Sequence, residues 1–296
     1  LGSAGQYLCT TGSGVAWAAV SGGGGSGWSP DDDGNLTAGT DAGEDLDGTN
    51  ACFNVLIGQC AGKEITSGAS NIYIGRNAGK NNTVSDHNIF IGDYAGCQSL
   101  GNNACACFNI FMGGRAGKCE YKEKNIYIGY EAACASALSK ENTIIGHQAA
   151  CKMTSGCYNP FFGSQTGAAG NNSGNENVYM GYRAGYCKAG ITGNTIVGAH
   201  AHYCGSNAEC NVMVGLMAGK CNVSGNRNVF IGHAVACQSK GSQNIAIGDR
   251  VCLPNNDDDW QLAIGKQTCH WIFGDCNWNV GIGTTNFNAA VGSGVT

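Results

Sequence analysis

Apolar and polar positions along this chain come in blocks, and the blocks recur. An Asn is followed by three apolar residues, a Gly, two variable positions, a small residue and often a second Gly. Asn71-Ile72-Tyr73-Ile74-Gly75-Arg76-Asn77-Ala78-Gly79 is one copy, and Asn88-Ile89-Phe90-Ile91-Gly92-Asp93-Tyr94-Ala95-Gly96 is the next. The leading Asn stands at 54, 71, 88, 109, 125, 142, 159, 177, 194, 211, 228 and 244; Gln261 and Asn279 continue the series, and Asn35 opens it more faintly. From Asn54 onward the step is 16 to 18 residues, with one of 21. A fixed period means stacked structural units, and a chain built by stacking makes a long object or surface rather than one reaction centre.

With the leading Asn as offset zero, the three apolar residues are too few for a helix and rich in β-branched types, so they predict a short strand. Offsets one (Ile72, Ile89, Ile110) and three (Ile74, Ile91, Met112) are expected to face the interior, because alternate residues share a strand face. The small residue at offset seven (Ala61, Ala78, Ala95) is expected to point inward opposite offset three, from a second short strand. The fold expected is all-β: a parallel β-solenoid (β-roll or β-helix) of about fifteen coils with a period of about 17 residues, forming a rod on the order of 70 Å long. The Asn column is expected to form a side-chain amide ladder, a scaffold rather than a ligand set.

Offset two is then expected to face outward. It reads Leu56, Tyr73, Phe90, Phe111, Tyr127, Ile144, Phe161, Tyr179, Ile196, Met213 and Phe230, fading to Ala246, Ala263 and Gly281. An exposed apolar stripe of that length exceeds what a monomer tolerates. These eleven residues are therefore expected to form an oligomer interface with the same stripe of neighbouring chains, around a two-fold or three-fold axis.

Composition narrows the function classes. The net charge is -5 and only 12% of residues are charged, which leaves no electrostatic footprint for nucleic acid or an anionic membrane. No apolar run approaches the roughly 20 residues of a membrane helix. The 49 Gly fall in register with the apolar triplets and read as turn chemistry. Eighteen Cys indicate an oxidising compartment, and none forms a CxxC spacing, so staples are expected rather than zinc. Pairs expected within a return loop are Cys151–Cys157, Cys204–Cys210, Cys269–Cys276 and Cys97 with Cys105 or Cys107; Cys119–Cys134 and Cys221–Cys237 are expected between stacked coils, and interchain bonds stay open.

Four sequons, Asn35, Asn81, Asn171 and Asn222, are glycosylation candidates in a secreted chain. Asp31–Asp33 and Asp257–Asp259 lack calcium-loop spacing and read as solvated turns; His200 and His202 read as a surface pair. Trp260, Trp271 and Trp278 offer a sugar platform or, by preference, a plug for the end of the core. No nucleophile elbow, phosphate loop or HExxH occurs, so an enzyme is not expected, and no cofactor or metal is implied.

The phrase N-(V/I)-(F/Y/A)-I-G-x-x-A-G resembles the repeat of YadA-like trimeric adhesin heads, and still more the repeats of phage and bacterial tail-fibre proteins. Gly5-Gln6-Tyr7-Leu8 with Gly12 and Trp17, and Val280-Gly281-Ile282-Gly283-Thr284-Thr285, resemble segments that flank such repeats. The resemblance implies a trimeric left-handed β-roll, and a C-terminal intramolecular chaperone that is cleaved after assembly. Phe287 stands where that family commonly has Pro, and the Cys load is foreign to phage fibres. A chain that opens on Leu1 is expected to be processed or partial.

The organisation expected is an N-terminal cap or connector at 1–34 with a flexible joint at Gly22–Gly25, a solenoid at 35–283 and a Gly-rich tail at 284–296. The function expected is that of a secreted structural protein, an extracellular fibre subunit whose partners are copies of itself, associating laterally and head to tail. The alternative is a trimeric adhesin or receptor-binding module for a surface glycan.

Overall fold

A computed structural model describes residues 6–11, 14–19, 30–98, 106–120, 122–136, 138–170, 173–187, 191–205, 208–222, 224–267, 269–277 and 279–283. The Gly22–Gly25 joint, the tail at 284–296, Cys105, Asn171 and Trp278 lie outside these residues. The described residues contain no helix. Gln6–Thr11 and Gly14–Ala19 form an antiparallel hairpin with its own two-stranded sheet.

The repeats build a parallel β-solenoid. A 16-stranded sheet starts with Leu36–Ala38 and takes one strand from each repeat up to Leu262–Lys266, every neighbour parallel and in register, as in Tyr73 opposite Phe90 opposite Phe111. The last two strands, Cys269–Gly274 and Val280–Ile282, run antiparallel. Fourteen parallel strands bound thirteen turns, fewer than the fifteen expected, because the phrase at Asn279 belongs to this closing meander and not to a coil.

Most coils have one three-residue strand, not two, and the strands Ile245–Asp249 and Leu262–Lys266 have five residues. A second parallel pair, Leu138–Lys140 with Ser155–Cys157, occurs on the return leg of two neighbouring coils. On the turn side the extended conformation is interrupted by Gly at offset four, with φ +132 at Gly75, and by left-handed residues at offsets six and eight, with φ 57 at both Asn77 and Gly79. Coil-to-coil hydrogen bonding continues through this turn by alternating direction. Asn77 N donates back to Gln59 O at 2.9 Å, and Gly79 N donates forward to Ala95 O at 2.9 Å.

The turn decides which strand face lies inside, and it overturns the expected phase. The corner at Gly75 brings Ala78 and Gly79 back over the side of the strand that carries Tyr73, and a Cβ on Gly79 would sit 2.5 Å from the Tyr73 ring. Offset two is therefore the core. Leu56, Tyr73, Phe90, Phe111, Tyr127, Ile144, Phe161, Tyr179, Ile196, Met213 and Phe230 are all at most 1% exposed within one chain, so they form no oligomer interface. Their rings stack coil on coil: Tyr73–Phe90, Phe90–Phe111 and Phe111–Tyr127 centroids are 4.8, 4.7 and 4.9 Å apart and nearly coplanar. The Ala residues at offset seven are buried as expected, but against offset two.

The Asn ladder forms as expected. Asn71 donates to Asn54 Oδ1 from both its backbone N (2.9 Å) and its Nδ2 (3.1 Å), and that Nδ2 also donates to Ser85 O in its own return leg at 2.7 Å. An Asn bonded in this way closes its own coil and joins it to the one before, while among the described residues Asn194 and Asn211 make the bonds to the preceding coil alone; all are buried. Gln261 takes the last bond, N to Asn244 Oδ1 at 2.7 Å, but its longer side chain folds back into the return loop that precedes it, where Oε1 accepts Asn255 N at 2.8 Å and Nε2 donates to Asp258 O at 2.7 Å.

Candidate functional site

The register that buries offset two turns offsets one and three outward. The central residue of each coil strand is buried between two partly exposed neighbours, as in Ile72–Ile74 and Ile89–Ile91. Both outer rows are apolar and mostly β-branched, and Met112, Met180, Ile231 and Ile245 are 38–42% exposed. One face of the rod is therefore a flat apolar strip two side chains wide along the whole sheet. The exposed apolar surface inferred from the sequence exists, one residue out of phase.

A polar ladder runs along the corner beside this strip, at offset six. Arg115 donates to Glu131 (2.9 Å), Gln148 to the other oxygen of Glu131 (3.0 Å), Gln165 to Gln148 (3.3 Å) and Arg183 to Gln165 (2.6 Å). The Gln148 amide and the Arg115 guanidinium hold the Glu131 carboxyl below its usual value. Earlier along the same corner, at offset five, Arg76 clamps Asp93 with two bonds of 2.9 and 2.8 Å.

Most of the cysteines line the opposite edge of the turn, where the chain leaves for the return loop, while Cys107, Cys157 and Cys210 stand at the end of that loop, just before a ladder Asn. Cys97, Cys119, Cys134, Cys151, Cys157, Cys204, Cys210, Cys221, Cys237, Cys269 and Cys276 are free thiols. Cys107 is disulfide-bonded, and its partner lies outside the described residues. None of Cys151–Cys157, Cys204–Cys210, Cys269–Cys276, Cys97–Cys107, Cys119–Cys134 and Cys221–Cys237 is bonded here.

Two sequons are closed by the fold. Asn35 is the first rung of the Asn ladder, 2% exposed, its Oδ1 accepting Asn54 and its Nδ2 donating to Ala51 O at 2.7 Å. Asn222 is fully buried and bonds Gly225 through both side-chain atoms. Asn81 lies in the return turn, half-buried.

The histidines are not a surface pair. His202 is fully buried at offset eight, its Nε2 3.2 Å from Asn222 O, while His200 lies against Tyr182 and Tyr203. Asp31 organises a turn by accepting the backbone N of Asn35 at 2.7 Å, and Asp257 pairs with Lys240 at 2.9 Å. Trp260 and Trp271 are 56% and 64% exposed and do not plug the core. Phe273, on the first antiparallel strand, closes it instead, 3% exposed and opposite Ala263.

A buried carboxyl that sequence reasoning missed is Glu120, 1% exposed, which accepts Tyr127 Oη at 3.0 Å and Ser136 Oγ at 2.7 Å. Asn82 satisfies Tyr73 in the opposite sense, its Nδ2 donating to Tyr73 Oη. The available signal was a polar residue at offset eleven, in the coil of the core Tyr for Asn82 and in the coil before it for Glu120. Among the described residues no three His, Cys, Asp or Glu side chains gather where they could hold a metal ion, and no helix is long and apolar enough to cross a membrane. No family model, no curated protein and no solved structure matches the chain.

Proposed function

We propose that this chain is a secreted structural protein, the subunit of an extracellular fibre that assembles side by side with copies of itself. The observation that carries this reading is the outer face of the sheet. Its two apolar rows extend over fourteen strands, about 65 Å by 10 Å, or roughly 650 Å² per chain. Two such faces would bury about 1,300 Å², within the range of specific interfaces. A partner must match the coil spacing of about 4.8 Å along its whole length, and a second copy of the same rod does so by construction.

Head-to-tail growth has weaker support than lateral pairing. The C-terminal edge is the antiparallel strand Val280–Ile282, whose Val280 and Ile282 are 62% and 77% exposed, and it offers no parallel coil to continue. The resemblance to tail-fibre and adhesin repeats agrees with a rod that works at a surface. The free thiols and the Asn81 sequon are compatible with secretion and do not require it.

A second reading, a glycan-recognising fibre tip or adhesin, is favoured by one feature. Exposed Trp260 borders a groove with Gln243, Leu262, Asp275 and Asn279, an aromatic face beside amides and a carboxylate of the kind that holds a sugar ring.

Electron microscopy and light scattering of the purified chain separate the two readings. Long laterally paired filaments, lost in Ile91→Lys/Met112→Lys with the coil fold intact, support the first. Short discrete trimers that bind glycans and lose that binding in Trp260→Ala support the second. A chain that stays monomeric at high concentration overturns self-association.

A further inference from the structure

Of the many cysteines on the turn edge, three share one column in consecutive coils. Cys187, Cys204 and Cys221 each stand ten residues after the leading Asn of their coil, Asn177, Asn194 and Asn211. The backbone locks them in file: Cys187 N donates to Tyr203 O at 3.0 Å, Cys204 N to Lys220 O at 2.8 Å, and Cys221 N to Cys237 O at 2.7 Å. All three reach solvent, Cys187 and Cys204 being exposed and Cys221 half-buried.

Stacked coils lie about 4.8 Å apart, inside the Cα window for a disulfide. Cys187 and Cys221 are two coils apart, at about twice that spacing and beyond the reach of a bridge. Three sulfurs in file can form one bond, and the middle one must be part of it. This arrangement differs from a loop staple, in which each cysteine has a single mate.

We propose that Cys187, Cys204 and Cys221 form a shared-partner disulfide site, in which Cys204 bridges to either neighbour and the third cysteine is left outside the bridge. The oxidant is a small disulfide of the glutathione class. One protein thiolate attacks its S–S bond and expels one small thiol; the neighbouring protein thiolate attacks the resulting mixed disulfide and expels the second. Two protein thiols are oxidised, one small disulfide is reduced to two thiols, and the protons leave with them. The remaining thiol, Cys187 or Cys221, ends as a mixed disulfide with the same reagent; the next-coil neighbour of Cys221, Cys237, stands one position out of the file and donates its thiol to Ala234 O at 3.0 Å. Burial and the adjacent Cys187 thiol hold Cys204 above its ordinary pKa, so the oxidation is run at alkaline pH, where more thiolate is present. The inference does not depend on how the rods assemble.

The test is non-reducing peptide mapping by mass spectrometry after oxidation of the intact chain with oxidised glutathione. Wild type should yield both Cys187–Cys204 and Cys204–Cys221 peptides, with glutathione adducts on Cys187 or Cys221 and none on Cys204. Cys187→Ser should leave only the second bridge, Cys221→Ser only the first, and Cys204→Ser neither, with no Cys187–Cys221 bridge in its place. Far-UV circular dichroism checks that each variant keeps the coil, and the wild-type map decides the question without any variant. A Cys187–Cys221 bridge, a Cys204–Cys210 bridge in wild type, or three unbridged thiols would overturn the proposal.

Discussion

Gly113 and Gly129 occupy the same corner of consecutive coils, so close that a Cβ on Gly113 would stand 2.6 Å from the carbonyl carbon and oxygen of Gly129. The next residue, Gly114, has room: a Cβ there meets only the edge of the Tyr130 ring, at 3.3 Å. Gly113 also holds φ +127, a conformation that side chains resist, whereas Gly114 does not. Gly113→Ala should therefore destabilise the rod by about 3 kcal/mol or more, while Gly114→Ala should change it by less than about 1 kcal/mol. Thermal melts of the two variants check this; equal losses would contradict the close-approach account.

Phe90 is clamped between Tyr73 and Phe111 in the ring stack. Phe90→Ala should cost about 3–5 kcal/mol through the cavity left between two rings. Phe90→Asp should unfold several coils rather than disperse an oligomer. In contrast, Ile91→Lys, on the outer face of the same strand, should keep the melting temperature within a few degrees. Urea unfolding of the three variants distinguishes the inner row from the outer.

Asn142 Oδ1 accepts two hydrogen bonds from the next rung, from Asn159 N at 2.9 Å and Asn159 Nδ2 at 3.0 Å. Asn142→Ala leaves Asn159 N without an acceptor, removes one of the two acceptors of Asn159 Nδ2 and removes a donor from Gly156 O. At about 1–3 kcal/mol for each unsatisfied buried group, the loss should exceed about 3 kcal/mol. Hydrogen exchange should show the opening centred on the coils on either side of Asn142, since each coil touches only its neighbours.

Burial pushes the thiols of Cys97 and Cys134 up to about 11. In the unfolded chain both ionise near the ordinary thiol value, so above that pH the unfolded state carries fewer protons than the folded one. Their contribution to stability is present below the ordinary value and is lost as pH rises toward 11. At pH 8.5 iodoacetamide should modify exposed Cys210 and Cys276 while sparing Cys97 and Cys134, and by pH 10.5 the protection should collapse. Site-resolved mass spectrometry gives the order of modification.

Expression in a eukaryotic secretory host should leave Asn35 and Asn222 unmodified, because both side chains are committed inside the rod. Among the described sequons only Asn81 stands in a partly open turn. Glycosidase treatment in heavy-oxygen water, which marks each former glycan site, should label Asn81 and neither of the other two.

The period, the parallel stack and the Asn ladder were legible in the sequence, because each depends on identity at a fixed spacing. The phase of the strand was not. Val55, Leu56 and Ile57 are all apolar, so a three-residue strand carries no alternation to tell inside from outside. The deciding signal was volume: the largest side chains, Tyr73, Phe90 and Phe111, face the smallest, Ala78, Ala95 and Ala116, across the coil. The left-handed positions were hidden for another reason. Phe53, His87, Lys124 and Trp260 all adopt φ near 60 just before a ladder residue, with no Gly to announce it. There the stack imposes the conformation, which a single coil would not choose.

The hydrogen bonds of the Asn ladder all point the same way, from each rung back to the one before. That gives the rod an arrow. A completed coil ends by offering an open carbonyl oxygen, and the next segment can dock only by supplying donors to it, so coils are accepted from one side. Gln261 withdraws that offer: one extra methylene lets its carbonyl oxygen turn away to Asn255 N. The ladder's arrow therefore ends at Gln261, at the same coil where the antiparallel strand Cys269–Gly274 takes over the sheet edge.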